Sequence, residues 1–401
     1  MKKAVLSLVV ISFIFGCNNR NGNNTALEVI NVNPTTAEEY INLSEIVDSV
    51  HCIRLWVDSG DVMGRVNEIL IKQKYIYAKD ATQQQIFVFD KEGKFVAKLA
   101  KNGDGPDEYN GFKAFFVDDE EKYVEIITGK NILKYTNISF ELAEKSPFPR
   151  FSCISSRKKD GIYYLAPQQM DNTVNGERTN AELLIVKGKN DVKILFDKHI
   201  KTNNSYFTGN EECFATNNRG ELFFSTMYDN TFYKLDADTV YPILSVDFGK
   251  YGMNNSFIRD KSTDEQMKYI ENMKDLASFP VLNMNDDRIM AFSYFFKEKD
   301  NQVLFRENDF RQYIKIKKNN KIYHTKTFRN DLTEFPDRIC ISSYFWWCNH
   351  EVWYEDYLVS VVMPEHYFKN SETKEVEIEG LGKITETDDP IVVLMKLKKD
   401  L

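Results

Sequence analysis

The densest run of side chains able to do chemistry is Tyr344-Phe345-Trp346-Trp347-Cys348-Asn349-His350-Glu351-Val352-Trp353-Tyr354-Glu355-Asp356-Tyr357, with three of the four tryptophans of the chain. Trp and Tyr planes stack on sugar rings or cations, and neighbouring imidazole and carboxylate groups take hydroxyl hydrogen bonds. Trp346, Trp347, His350, Trp353 and Tyr354 are therefore candidate ligand contacts. His350, Trp353 and Tyr354 are expected at the surface, because charges flank them. Packing competes with this reading. Alternation along a strand sends Tyr344, Trp346 and Cys348 to one side and Phe345 and Trp347 to the other, as in a strand covered on both faces. Glu108 and Tyr109, at the end of the turn-rich stretch Gly103–Tyr109, form a second candidate pair that either lines a binding face or only closes a turn.

Motifs for catalysis are missing. The chain has no Gly-x-Ser-x-Gly elbow and no phosphate-cradling glycine loop after a strand, and His350-Glu351 lacks the second histidine of a zinc-binding helix. His51, His199, His324 and His366 each stand alone, and the absence of Cys-x-x-Cys argues against a cysteine-held zinc. Calcium needs about six to eight oxygens converging from several elements. Glu68, Asn230 and Asp286 are of the right type, but sequence does not bring them together. The net charge of -8 without a basic stripe argues against nucleic acid as a partner.

The elements that must position these residues are repeated hairpins. Lys74-Tyr75-Ile76-Tyr77-Ala78 with Gln85-Ile86-Phe87-Val88-Phe89, and Glu221-Leu222-Phe223-Phe224-Ser225 with Thr231-Phe232-Tyr233-Lys234-Leu235, are the clearest copies. Such a hairpin cannot bury its apolar face alone and must stack on its neighbours. The first full unit adds a strand over 64–71 and another over 95–99, the latter after a turn whose Gly93 supplies positive φ. Four antiparallel strands in roughly 40 residues is the size of a propeller blade. Further units fall at 112–148, 151–199 with a polar insertion over 171–180, 214–249, 288–328 and 339–397. The expected fold is all-β, a six-bladed β-propeller over residues 26–401. A helical insertion at 256–278 is expected, because Phe257, Met267, Ile270, Met273 and Leu276 recur with helical period. Leu27–Val32 or Val50–Leu55 is expected to pair with the C-terminal segment and close the ring.

Residues 1–17 read as a signal segment, with Lys2 and Lys3 ahead of a short apolar run. Ile14-Phe15-Gly16-Cys17 resembles a lipobox, which marks Cys17 for lipidation, and residues 18–25 read as a flexible tether. The expected address is the cell envelope, with the protein held to a membrane through lipid on Cys17. The expected place is the outer membrane facing the periplasm, surface exposure remaining an alternative. The remaining cysteines, Cys52, Cys153, Cys213, Cys340 and Cys348, fit no disulfide framework. They read mainly as small buried hydrophobes, with a Cys340–Cys348 pair left open.

Ile86-Phe87-Val88-Phe89-Asp90-Lys91-Glu92-Gly93-Lys94-Phe95, followed by Asn102-Gly103-Asp104-Gly105-Pro106-Asp107-Glu108-Tyr109, resembles the signature of the Bacteroidetes six-bladed β-propeller lipoproteins, a family related in shape to NHL-repeat propellers. Asp107 stands where that family usually has glycine. The segment 228–235 and the tail Asp388-Asp389-Pro390-Ile391-Val392-Val393-Leu394 are similar too, with Asp389 where Asn is common. The resemblance implies a fold and an address but little mechanism. Three functional readings remain. The first is a non-catalytic binding module for a glycan, a peptide or a partner protein. The second is a metal-assisted, lactonase-like hydrolase or lyase using calcium in the central channel. The third is a scaffold of an envelope complex.

Overall fold

The computed structural model describes residues 27–57, 60–167, 170–188, 190–197, 213–226, 229–258, 261–272, 274–298, 309–333, 338–339, 349–369 and 373–401. The signal segment, the tether, Cys17, Trp346, Trp347, Cys340 and Cys348 lie outside them.

Six sheets of four or five strands form a six-bladed β-propeller. Blade 1 comprises Val66–Ile71, Ile76–Asp80, Gln85–Phe89 and Phe95–Leu99. Blade 2 comprises Ala114–Val117, Tyr123–Ile127, Asn131–Thr136 and Leu142–Pro147, and blade 3 Ser155–Lys159, Ile162–Ala166, Leu183–Gly188 and Asp191–Phe196. Blade 4 comprises Phe214–Thr216, Leu222–Ser225, Thr231–Asp236 and Thr239–Asp247. Blade 5 comprises Leu276–Asn285, Ile289–Lys297, Phe310–Ile316 and Ile322–Thr325. Blade 6 takes Trp353–Tyr354, Tyr357–Val362 and Ile391–Leu397 from the end of the chain and Val47–Arg54 from its beginning. The polar insertion of blade 3 is a hairpin, Asn172–Val174 with Glu177–Thr179.

Period-two alternation explains why the blades stack. In blade 1, Ile76, Ala78, Phe87 and Phe89 face blade 6 and pack with Ile53, Val359, Val361, Val392 and Leu394. Tyr77, Ile86, Val88 and Leu99 point the other way, against Phe115, Val124, Ile126 and Tyr135 of blade 2. The same arrangement repeats around the ring, giving an apolar layer at each of the six blade junctions. A strand apolar on both faces is thus what a blade interior requires.

The ring closes through Val47–Arg54, which pairs antiparallel with Ile391–Leu397 from Val47 opposite Leu397 to Arg54 opposite Ile391. Of the two strands expected to do this, Val50–Leu55 is the one that closes it. The other, Glu28–Asn31, runs parallel to Thr239–Asp247 on the outer edge of blade 4. Past the closure strand, the Trp56 amide donates to the Gly93 carbonyl at 3.1 Å. Gly93 sits at φ +85°, and a Cβ there would meet the Arg54 carbonyl oxygen at 2.1 Å. The turn expected from sequence is therefore also a contact between blades.

Two boundaries differ from the sequence expectation. Within the expected insertion, helix among the described residues covers Asn255–Ile258 and Thr263–Asn272. Leu276 already opens the first strand of blade 5, so that blade begins well before residue 288. Leu276 fits the helical period, but its neighbours Ala277, Ser278 and Phe279 are all buried, as only an internal strand allows.

Candidate functional site

First strands of successive blades adjoin one another and so line the ring axis. At one end they surround a basin of about 700 Å³, which Glu68, Lys72, Phe116, Asp118, Arg157, Lys159, Thr216, Asn217, His350 and Glu351 help to line. Asn349–His350 supplies His350 by running parallel to the first strand of blade 1, with His350 opposite Ile69, and Glu351 follows directly after it. Below the basin the channel narrows to a neck of about 10 Å³, bounded by Arg157, Thr216, Asn283, His350, Glu351 and Val352.

Most charges near the basin are neutralised within the ring. Glu68 lies directly across the strand pair from Lys79, with 3.7 Å between their charged groups. Glu125 lies across from Lys134, is also paired with Lys158, and accepts from the Tyr163 hydroxyl at 2.8 Å. Glu221 is paired with Lys234 and Arg219 and accepts from Asn217 Nδ2 at 2.7 Å. Hydrogen bonding from Lys234 leads the effects that hold the Glu221 carboxyl down at about 2, against the opposing effect of burial. Cross-strand Glu–Lys pairing of this kind holds strands in register.

Two charged groups at the neck are exceptions. Among the described residues the Arg157 guanidinium donates only to the Ser156 carbonyl, at 2.9 Å, and has no ion-pair partner. Glu351 likewise takes no hydrogen bond and no ion pair among the described residues.

Of the residues singled out by sequence, His350 and Glu68 reach this site, and His350 is 3% exposed rather than at the surface. Trp353 is 5% exposed and packs in the apolar layer between blades 5 and 6. Flanking charges fail as a guide here, because alternation turns Trp353 inward whatever its neighbours in sequence. Tyr354 is partly buried beside blade 1 with the Lys91 ammonium 4.1 Å from its ring, and burial pushes its hydroxyl up to about 12.

Glu108 and Tyr109 close a turn between blades 1 and 2. The Gly105 amide donates to Glu108 Oε2 at 2.8 Å, and the buried Tyr109 hydroxyl donates to the Gln84 carbonyl at 2.8 Å. A Cβ on Gly103 would meet Glu108 Oε2 at 2.0 Å, so the glycine makes room for that carboxylate. Asp107, which replaces the glycine of the family pattern, pairs with Lys101 at 2.7 Å.

Metal-binding geometry is not assembled: among the described residues no three His, Cys, Asp or Glu side chains could hold an ion together. Asp286 is 2% exposed and accepts from the Arg288 and Ile289 amides in the first turn of blade 5, so it serves the turn rather than the channel. Cys52, Cys153 and Cys213 pack against three different inter-blade layers.

Sequence reading passed over Arg157, Thr216 and Asn283. A usable signal did exist: Ser155-Ser156-Arg157-Lys158-Lys159 is a polar run at the position of a first strand. First strands are the ones that face the axis.

Fold and basin together define a six-bladed β-propeller with a polar, open channel mouth. The chain belongs to the family described as a domain of unknown function, DUF4934, whose model matches residues 27–396. A Bacteroides fragilis protein described as exported is similar in fold, with TM-score 0.63, 16% identity, and 92% of this chain and 100% of that chain covered. A member of the DUF4221 family from Bacteroides vulgatus is similar at TM-score 0.53 and 11% identity, covering 88% of this chain and 97% of that one. No curated protein matches the sequence. Among the described residues no helix is long and apolar enough to cross a membrane.

Proposed function

We propose that the protein is an envelope-exported binding module, lipid-anchored through Cys17, that takes a hydrophilic ligand, a glycan, in the mouth of its channel. The observation that carries this reading is the basin of about 700 Å³, which is large enough for a sugar or a short oligosaccharide. Its wall presents amide, hydroxyl and charged groups held on rigid first strands, together with the partly buried ring of Phe116. Hydroxyl-rich ligands match such a wall better than apolar ones do. Three of the carboxylates near the basin, Glu68, Glu125 and Glu221, are paired with lysine, which leaves them poorly placed to hold a metal.

A direct test is the melting temperature of the full-length protein against panels of oligosaccharides and peptides, then with EDTA and added calcium. Saturation at about 100 times Kd adds about 2.7 kcal/mol to stability. Stabilisation by saccharides is the expected result. A reversible fall in melting temperature with EDTA would overturn the reading in favour of a metal site. For the anchor, Cys17→Ser is expected to move the protein from the membrane to the soluble fraction, and unchanged membrane retention would count against lipidation at Cys17.

A further inference from the structure

We propose that the neck of the channel is a carboxylate-binding subsite, and that the ligand it selects is an acidic sugar, a uronate, rather than a neutral one. The inference rests on the glycan-binding reading and names the group that the site recognises.

Two donors with acceptors still to find among the described residues line the neck. Arg157 lines both basin and neck, and apart from the carbonyl of the preceding residue it has no partner. Asn283 is 4% exposed, and its Nδ2 has no hydrogen-bond partner. Buried amide donors are almost always paired, so an orphan of this kind marks the place of a missing acceptor. Asn283 is moreover the extra residue of a β-bulge: Leu282 pairs with Phe292 and Met284 with Ala291, leaving Asn283 between them. Bulges re-aim a side chain that regular pairing would send elsewhere.

The neck, at about 10 Å³, has room for about one oxygen atom. A carboxylate fits these constraints. One oxygen enters the neck toward Asn283, and the planar guanidinium of Arg157 takes the pair of oxygens from the side.

Glu351 narrows the choice further. It borders the same neck and has no partner among the described residues, so it is set to accept hydrogen bonds from hydroxyls beside the carboxylate. A bare inorganic anion would meet that negative charge with nothing to offer it. A neutral sugar would offer Arg157 and Asn283 hydroxyl acceptors but leave the charge of the guanidinium uncompensated. A ring that carries a carboxylate next to hydroxyls satisfies all three, with the Thr216 hydroxyl as a further partner. The basin above continues with Asn217, Asp118 and Lys159, a surface suited to further sugar units rather than to peptide side chains.

The test is isothermal titration calorimetry of the full-length protein with glucuronate and galacturonate oligosaccharides, their neutral glucose and galactose counterparts, and short peptides with free carboxyl termini. Uronates are expected to bind at least about tenfold more tightly than the neutral sugars, the discrimination of one charge-assisted hydrogen-bond pair. Arg157→Gln should weaken uronate binding by about ten- to a hundredfold and the binding of neutral sugars by far less. Asn283→Ala should reduce the same preference, and both variants must melt as the wild type does to be compared. Neutral sugars binding as well as uronates, or R157Q leaving uronate affinity intact, overturns the subsite while glycan binding stands. If no saccharide of either kind binds, both readings fall. Binding confined to the peptides overturns the assignment to a sugar acid.

Discussion

His324, in the last strand of blade 5, gives the protein a defined sensitivity to acid. Its ring packs beside Tyr294 and Tyr313. The Tyr294 hydroxyl, kept protonated by burial, shares a hydrogen bond with His324 Nε2 at 2.6 Å, and Nδ1 lies 3.4 Å from the Thr36 hydroxyl. Burial first, and the Arg311 charge second, lower the imidazole from 6.5 to about 4. Between those values the unfolded chain binds a proton that the folded protein refuses, so stability rises with pH across the window. The contribution is complete above the unfolded value and is lost as pH falls toward about 4. Its full extent is about 3 kcal/mol, of which about 2 kcal/mol falls between roughly pH 7 and pH 4.5. Urea unfolding of the wild type and of His324→Gln at those two pH values isolates the effect. The glutamine can still accept from Tyr294 but does not titrate. Carboxylates such as Glu221 lose their contribution in both proteins alike and cancel in the comparison. The wild type should lose about 2 kcal/mol more than the variant on acidification. Equal losses in the two proteins would refute the neutral, buried imidazole.

Three further outcomes follow from the packing. Deleting residues 27–57 removes the closure strand of blade 6 and should abolish the cooperative melting transition; a truncated form that still melts sharply would show that the ring does not depend on that strand. Gly93→Ala places a Cβ against the Arg54 carbonyl at positive φ and should cost about 2 kcal/mol or more in urea unfolding, while a variant within about 0.5 kcal/mol of wild type would contradict the contact. Tyr109→Phe leaves the Gln84 carbonyl without its donor and should lower stability by about 1 kcal/mol with glycan affinity unchanged, since Tyr109 serves the turn. Loss of binding in that variant would return Tyr109 to the candidate site.

Blade architecture was legible because it is written locally. Hairpin strands such as Ile76–Asp80 and Gln85–Phe89 declare themselves by β-branched and aromatic content, and the turn around Gly93 by its glycine. The beginning of blade 5 was not legible, because Leu276 satisfies a helical period and a buried strand equally well. The candidate site was hidden for a different reason. Arg157, Thr216, Asn283 and Glu351 come from separate stretches of sequence and meet only at the axis, and none belongs to a motif. The aromatic segment around Trp353 attracted attention through composition, yet composition does not distinguish a strand buried between two blades from a stacking platform.

Ring closure by Val47–Arg54 also sets the order in which the molecule is finished. As the chain is synthesised, this strand exists long before Ile391–Leu397, the strand it pairs with, has been made. Blades 1 to 5 draw their strands from contiguous or nearby sequence, so they form early, while the junction between blades 6 and 1 waits for the last part of the chain. Contacts between such distant residues form slowly, because the entropy of bringing them together is lost before any packing compensates it. Until then the strand offers an open edge to any neighbour. Its sequence limits that hazard: Asp48, Ser49 and His51 stay exposed even in the finished blade, and polar residues of this kind discourage pairing with another chain. The final step of folding is therefore the pairing of two distant segments, and the waiting one is marked by its polar face against wrong partners.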